Sequence, residues 1–251
     1  MKNSENIKNK IKSKGYWRVI IRPSKEFYCK DRFNIKSLVK LIEKSYVRLR
    51  GWPYPYFDNS KIAIGMDRIL SYCDFMDGII EYWEFTTSGQ FSHIFAMDED
   101  YIIDFQKAEE IKSRFPFDKS DKDKISKIDK FLDIISTVYK ITEIFKFAAN
   151  LAQQEEYEEV DRFEVIIQLY DVRNRMLFIW DLSRRLFSPY ICEMDENKIS
   201  FDDLYEKEKL ISNFAPFALE IAIKIFHCFN WTNPSRQVLE EEQKKLLERR
   251  L

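Results

Sequence analysis

The chain has 251 residues, 45% of them hydrophobic and 16% aromatic, with 21 Phe and 13 Tyr but only 5 Gly and 7 Pro. It is long enough for a sizeable, phenylalanine-rich core, and its composition excludes low complexity and a glycine-lined phosphate loop. A net charge of −1 conceals a division, because residues 1–50 carry 15 Lys/Arg against 4 Asp/Glu while the other 201 carry 26 against 38. Such asymmetry fits either a polyanionic partner or a solvated lysine tail.

Residues 1–14 form a basic N-terminal arm, helical or disordered, ahead of a single α+β domain over 15–251 with a possible sub-boundary near 104–124. Tyr16 to Arg22 alternates as a strand that sends Trp17, Val19 and Ile21 one way and Arg18 and Arg22 the other, with Pro23 ending it. Asn34 is placed to cap a helix bearing Ile35, Leu38, Val39, Leu41 and Ile42. Tyr46 to Trp52 reads as a second strand with Arg48, Arg50 and Trp52 on one face. Pro53 and Pro55 are expected to take Trp52 to Pro55 out of the sheet as an aromatic loop. Residues 58–78 are mixed, with turns at Asp58-Asn59-Ser60 and Asp77-Gly78.

Ile79 to Met97 has the pattern of a β-hairpin. With Ser88-Gly89 as a two-residue loop, Thr87 faces Gln90, Phe85 faces Ser92 and Trp83 faces Ile94. Both faces then carry large apolar groups and both need cover. Asp98-Glu99-Asp100 closes it, and Lys119 to Lys124 reads as an exposed linker. A long helix is expected between Ile125 and Gln154, lying across a sheet face. Phe163 to Leu169 and Met176 to Trp180 form a second hairpin around Asp171–Asn174, and Ser200 with Asp203 imitates a capping box. Pro216 opens an apolar helix to about Phe229, and Asn233-Pro234 opens a charged terminal helix. The fold class predicted is α+β: a mixed or antiparallel sheet of about six strands, a long packing helix and a C-terminal helical segment.

Cys29, Cys73, Cys192 and Cys228 are far apart without C-x-x-C spacing, as expected of reduced core thiols in a cytoplasmic protein rather than a zinc knuckle or redox pair. No apolar run of about 18 residues and no leader pattern suggests a membrane. The acidic clusters at 98–100, 155–161 and 202–203 fit turns and helix ends, and no Asp followed by a Glu-x-Lys strand suggests a metal-dependent nuclease. Neither a metal nor a cofactor is expected.

The sharpest constellation is Arg18, Arg22, Arg48 and Arg50 with Trp52 and Tyr54. If the two strands are neighbours, their guanidinium groups converge on a surface suited to phosphates, with aromatics for stacking on bases. The competing reading ties these arginines to carboxylates such as Glu43, Glu81 and Glu84. Glu84 facing His93 across the hairpin allows acid/base chemistry or an ordinary cross-strand polar pair, and His227 beside Cys228 reads as a packed helix residue.

Trp17-Arg18-Val19-Ile20-Ile21-Arg22-Pro23, Val47-Arg48-Leu49-Arg50-Gly51-Trp52-Pro53-Tyr54-Pro55 and Glu81 to Phe91 together resemble a poorly characterised prokaryotic module. That module occurs alone or C-terminal to Schlafen-type AlbA-like domains assigned to DNA binding. The likeness covers most of residues 15–250 and implies a setting in defence or mobile elements, without an activity. Pro53 and Glu84 depart from the module's pattern, which has an acidic and a basic residue there, and the AlbA-like domain is not in this chain.

The function expected is therefore a non-catalytic interaction module that holds nucleic acid or a nucleotide-like anion through the Arg/Trp surface. The alternative is a protein–protein scaffold or dimerisation domain, using Trp52 to Phe57 and the terminal helix. An enzyme acting through Glu84 and His93 is the third reading.

Overall fold

The computed structural model describes residues 2–27, 32–75, 78–115, 119–181 and 183–250. Cys29 and the Asp77 half of the expected Asp77-Gly78 turn lie outside the described residues. In chain order the elements are α1 (Lys2–Lys12), β1 (Tyr16–Pro23), α2 (Ile35–Ser45), β2 (Val47–Arg50), β3 (Trp52–Tyr54), β4 (Ala63–Ile64), β5 (Arg68–Asp74), β6 (Ile80–Thr86) and β7 (Phe91–Ala96). They continue with α3 (Glu99–Ile102), α4 (Phe105–Ser113), α5 (Lys119–Ser126), β8 (Lys130–Asp133), α6 (Ile134–Ala152), β9 (Arg162–Tyr170), β10 (Arg175–Phe178), β11 (Lys198–Glu206), α7 (Lys207–His227) and α8 (Arg236–Leu247). The class is α+β as predicted.

Seven strands form one antiparallel sheet in the order β11-β9-β1-β7-β6-β5-β4. Alternation along β1 and β9 turns Trp17, Val19, Ile21, Phe163, Val165, Ile167 and Leu169 to one face, where α6 lays Ile141, Ile144, Phe145, Phe147 and Ala148 over them. On the other face α1 covers β6 and β7, packing Ile7 and Ile11 on Ile80, Tyr82 and Ala96. The basic arm is thus a docked helix: Lys10 pairs with Asp74 at 2.8 Å, and Lys8 sits 4.2 Å above the Tyr82 ring. A satellite cluster joins Ala108 and Ile111 of α4 to Phe131, Met176 and Phe178.

The hairpin forms where expected but one residue out of register. Phe85 pairs with Phe91, Glu84 with Ser92 and Trp83 with His93. The loop is Thr87-Ser88-Gly89: Thr86 N donates to Gln90 O at 3.0 Å and Gly89 N to Thr86 O at 2.9 Å, with Gly89 at φ +85°. A three-residue loop ending in a left-handed glycine is the standard alternative to the two-residue turn, and the slip turns every side chain of one strand over. His93 therefore lies on the inner face with Trp83, Phe91 and Phe95, while Ser92 and Ile94 face outward. A Cβ on Gly89 would stand 2.6 Å from Phe33 Cε2. Gly89→Ala combines left-handed strain with a clash and is expected to lower stability by about 2 kcal/mol, read as a fall in the urea midpoint at constant m.

Other expectations are corrected by long-range pairing. Trp52 to Tyr54 does not leave as a loop but folds back on β2, Val47 opposite Tyr54 and Arg50 opposite Trp52, turning at Gly51 with φ +65°. Pro53 is tolerated because this short ribbon is all edge. The helix expected from Ile125 begins only at Ile134: Lys130–Asp133 forms strand β8 instead, and the Asp133 carboxylate accepts from Ser136 N and so caps α6. β10 does not return along β9, both of whose edges are taken, but pairs in parallel with β8. Ser200 and Asp203 lie in strand β11, not at a helix start, and residues 119–124 belong to helix α5 rather than a linker. The N-cap position of the terminal helix α8 is Ser235, which makes no side-chain capping bond, instead of Asn233.

Asn34 does cap α2, accepting from Lys36 N at 2.9 Å, a contact worth about 1 kcal/mol. Pro216 lies in the first turn after a kink at Asn213. By composition α7 is long and apolar enough to cross a membrane, contrary to the sequence reading, and here it packs Leu219, Ala222, Ile225 and Phe226 into the core. Cys73 and Cys192 are buried free thiols and Cys228 is a half-buried one.

Candidate functional site

β1 and the β2–β3 ribbon are not neighbours, so the four arginines do not converge. β1 lies between β9 and β7 and presents Arg18 and Arg22 on the face away from α6. Arg22 Nε is tied to Glu164, and its Nη1 donates to Gln90 Oε1 at 3.2 Å. Arg18 is exposed and donates to Gln168 Oε1 at 3.1 Å, in an outer groove beside Lys8, Lys12 and Tyr16. Arg50 points to the opposite side of the sheet, where Nε and Nη2 grip Glu143 of α6 at 2.8–3.2 Å. Arg48 alone of the four is exposed without a side-chain hydrogen bond or ion pair among the described residues.

Trp52 and Tyr54 face inward. Trp52 is half-buried, stacked on Tyr56 at 5.1 Å, and Tyr54 is 7% exposed, edge-on to His93, Phe95 and Phe147. Together with Arg50 they wall a cleft of about 190 Å³ between the ribbon, β6–β7 and α6, which also meets Glu81, His93, Asp98, Lys140 and Glu143. The bidentate pull of a helix carboxylate on Arg50 fastens the ribbon over the cleft.

Glu81 is the hub. Its Oε1 accepts from Trp52 Nε1 at 3.2 Å and its Oε2 from Tyr56 N at 3.2 Å. His93 Nε2 lies 2.7 Å from Oε2 but out of line for donation, and neither ring nitrogen has an aligned hydrogen-bond partner. Glu81 rather than Glu84 is thus the carboxylate at His93. Glu84 is on the outer face, bonded by Tyr82 Oη at 2.9 Å and Arg68 Nη1 at 3.2 Å. The Glu84–His93 pair on which an enzyme reading rested does not form, and His93 is 1% exposed.

Lys140 Nζ donates to Asp98 Oδ1 at 2.6 Å and lies 3.9 Å from Glu99 Oε2. Burial works against the Lys140 cation, but Asp98 and Glu99 outweigh it and hold its pKa above the usual lysine value. Burial likewise opposes the Arg50 cation, and Glu143 more than compensates. The Tyr54 phenol is pushed far up, first by burial and then by Glu81 and Glu143, so it stays a neutral hydrogen-bonding group at any ordinary pH. Around the cleft, two cations meet three carboxylates, which leaves no surplus positive charge for a free anion.

A second arrangement lies on the outside of the same corner. Lys36, Lys40 and Lys44 of α2 are exposed at four-residue intervals, one row along the helix, and Arg48 follows four residues later. None of the four side chains has an ion-pair partner among the described residues. Arg48 and Trp52 both border a shallow depression with Tyr46, Gly51, Pro53 and Phe57.

Sequence reasoning missed the cleft's polar half. Its signal was present as Lys140 and Glu143, charged residues three apart inside an otherwise apolar helix stripe. The acidic run 98–100 was read as solvated, whereas Glu99 is 2% exposed and Asp98 and Asp100 hold Lys140 and Arg175. No family model matches the chain, and no curated protein or solved structure is significantly similar to it. Any functional reading therefore rests on these residues.

Proposed function

We propose that the protein is a non-catalytic module that binds nucleic acid along the outer edge made by α2 and the β2–β3 ribbon. The observation that carries this reading is the row Lys36, Lys40, Lys44 and Arg48: four exposed cations without carboxylate partners among the described residues, while Arg22 and Arg50 are neutralised internally. A helical rise of about 1.5 Å per residue spaces the lysines about 6 Å apart, a separation suited to tracking a chain of phosphates. At the end of the row, half-buried Tyr46 borders the depression next to Arg48.

Four phosphate contacts on a single strand imply a slope of about −0.7 per contact in log K against log salt, so raising salt from about 50 to about 200 mM weakens binding about fiftyfold. Fluorescence anisotropy with a labelled oligonucleotide measures this. Lys40→Glu/Lys44→Glu/Arg48→Glu is expected to abolish binding, and Arg18→Glu, across the sheet, to leave it unchanged. No binding by the native chain at low salt overturns the proposal.

A second reading, protein–protein contact, is favoured by an apolar groove that includes Ile135, Leu186, Tyr190 and Trp231, at whose rim Phe187 is 87% and Val238 46% exposed. If that reading holds, light scattering shows an oligomer that Phe187→Ser dissociates; a monomer at all concentrations removes self-association from consideration.

A further inference from the structure

The cleft beneath the ribbon is a different kind of site from the lysine row outside it. Its walls include Trp52, Pro53, Tyr54, Ile80 and Phe95, and its cations are outnumbered: Arg50 and Lys140 against Glu81, Glu143 and Asp98. A phosphate would have to take Arg50 from Glu143 or Lys140 from Asp98, so the lining disfavours anions. Two polar groups of the lining are left over. Tyr54 Oη and His93 Nδ1 have no hydrogen-bond partner among the described residues, in side chains 7% and 1% exposed. Buried polar atoms are satisfied in native proteins with few exceptions, and two in one cleft point to a molecule that completes them.

We propose that this cleft binds one small, uncharged planar heterocycle carrying adjacent hydrogen-bond donors and acceptors, a nucleobase or its close chemical analogue. The flat ring packs on the aromatic wall of which Trp52 forms part. Its polar edge accepts from the Tyr54 hydroxyl and meets His93. Glu81 orders the pocket by holding the Trp52 indole with one oxygen and the Tyr56 amide with the other. The site does not depend on the lysine row, from which it differs in charge as well as position.

Isothermal titration of the full chain with adenine, guanine, cytosine and uracil tests this, alongside adenosine monophosphate as the anionic comparison. At least one free base is expected to bind saturably, with quenching of tryptophan fluorescence, and the monophosphate more weakly than its base. Tyr54→Phe is the informative variant. It removes an oxygen that has no partner in the free protein, so thermal stability is expected to be unchanged or higher while base affinity falls about tenfold. A merely structural Tyr54 would show the reverse. Glu81→Gln, which keeps the shape but weakens the hold on Trp52, is expected to lower affinity by a similar factor. The triple substitution Lys40→Glu/Lys44→Glu/Arg48→Glu is expected to leave base binding intact, so failure of oligonucleotide binding and failure of base binding are read separately. No heat or fluorescence change with any of the four bases at millimolar concentration overturns the proposal, as does binding that Tyr54→Phe and Glu81→Gln both leave unaltered.

Discussion

Asp100→Asn is expected to destabilise the protein by about 3–5 kcal/mol, because it leaves a guanidinium that has no route to water with only Asp171, 4.0 Å away, as a counter-charge. Arg175 is 0% exposed. Its Nη1 donates to Asp100 Oδ1 and to Phe131 O, both at 2.6 Å, its Nη2 to Asp100 Oδ2 at 2.8 Å, and its Nε to Asp171 O at 3.2 Å. Asp100 Oδ2 also accepts from Gly15 N at 2.8 Å. One ion pair thus joins the turn before β1, helix α3, strand β8 and the turn after β9. A Cβ on Gly15 would meet Arg175 Nη2 at 2.2 Å, so glycine there is what lets the pair lie against the backbone. Arg175→Met leaves Asp100 still bonded to Gly15 N and closer to solvent, and should cost less than Asp100→Asn. The double variant Arg175→Met/Asp100→Leu removes both charges and is expected to recover part of the loss. Urea midpoints at constant m decide it; a loss under about 1 kcal/mol for Asp100→Asn would show that the pair is not what fastens these elements.

The second large effect is a pH dependence of unusual sign. Burial, and then the neighbouring Glu99, push the Asp133 carboxyl up to about 7, although Ser136 N and Trp180 N donate to it. In the unfolded chain it titrates near about 4. Between these values the native state holds a proton that the unfolded state has released, so stability falls as pH rises through the window and levels off above about 7. Glu99, also raised by burial, acts in the same direction. Linkage for Asp133 alone predicts a loss of about 2 kcal/mol from pH about 5.5 to about 7.5. Asparagine can still cap α6 but cannot ionise, so Asp133→Asn is expected to flatten the profile even if it lowers its height. Denaturant midpoints across that range, native against variant, are the measurement; parallel profiles would refute the assignment.

Features set by local physics were legible in the sequence. Alternation placed β1 and β9 because their inner faces carry Trp17, Val19, Ile21, Phe163 and Val165 without interruption, and Asn34 marked the start of α2 because its side chain caps the next turn. Ser88-Gly89 located the hairpin but not its register, since the same glycine ends a three-residue loop as readily as it fills a two-residue one. That single choice moved His93 from one face of the sheet to the other and exchanged Glu84 for Glu81 as its neighbour. The arginine set failed for another reason. Whether Arg18 and Arg50 share a surface depends on strand order, and the partners of β1 are β7 and β9, far along the chain. β11 was misread because Ser200 and Asp203 satisfy a capping pattern that β9, offering an open edge, overrides.

The place of β1 in the sheet also bears on how the protein is made. Arg18 meets Gln168 across 150 residues of chain, so β1 waits for one of its partners until that length of polypeptide has followed it from the ribosome. Until β9 arrives, a β1–β7–β6 sheet has one unprotected edge whose inner face is Trp17, Val19 and Ile21, a template for pairing with another nascent chain. Messages that stall before the codons for β9 should therefore yield aggregates rather than small soluble fragments. Folding of these 251 residues should be slow for their number, with rate governed by closure of that long loop.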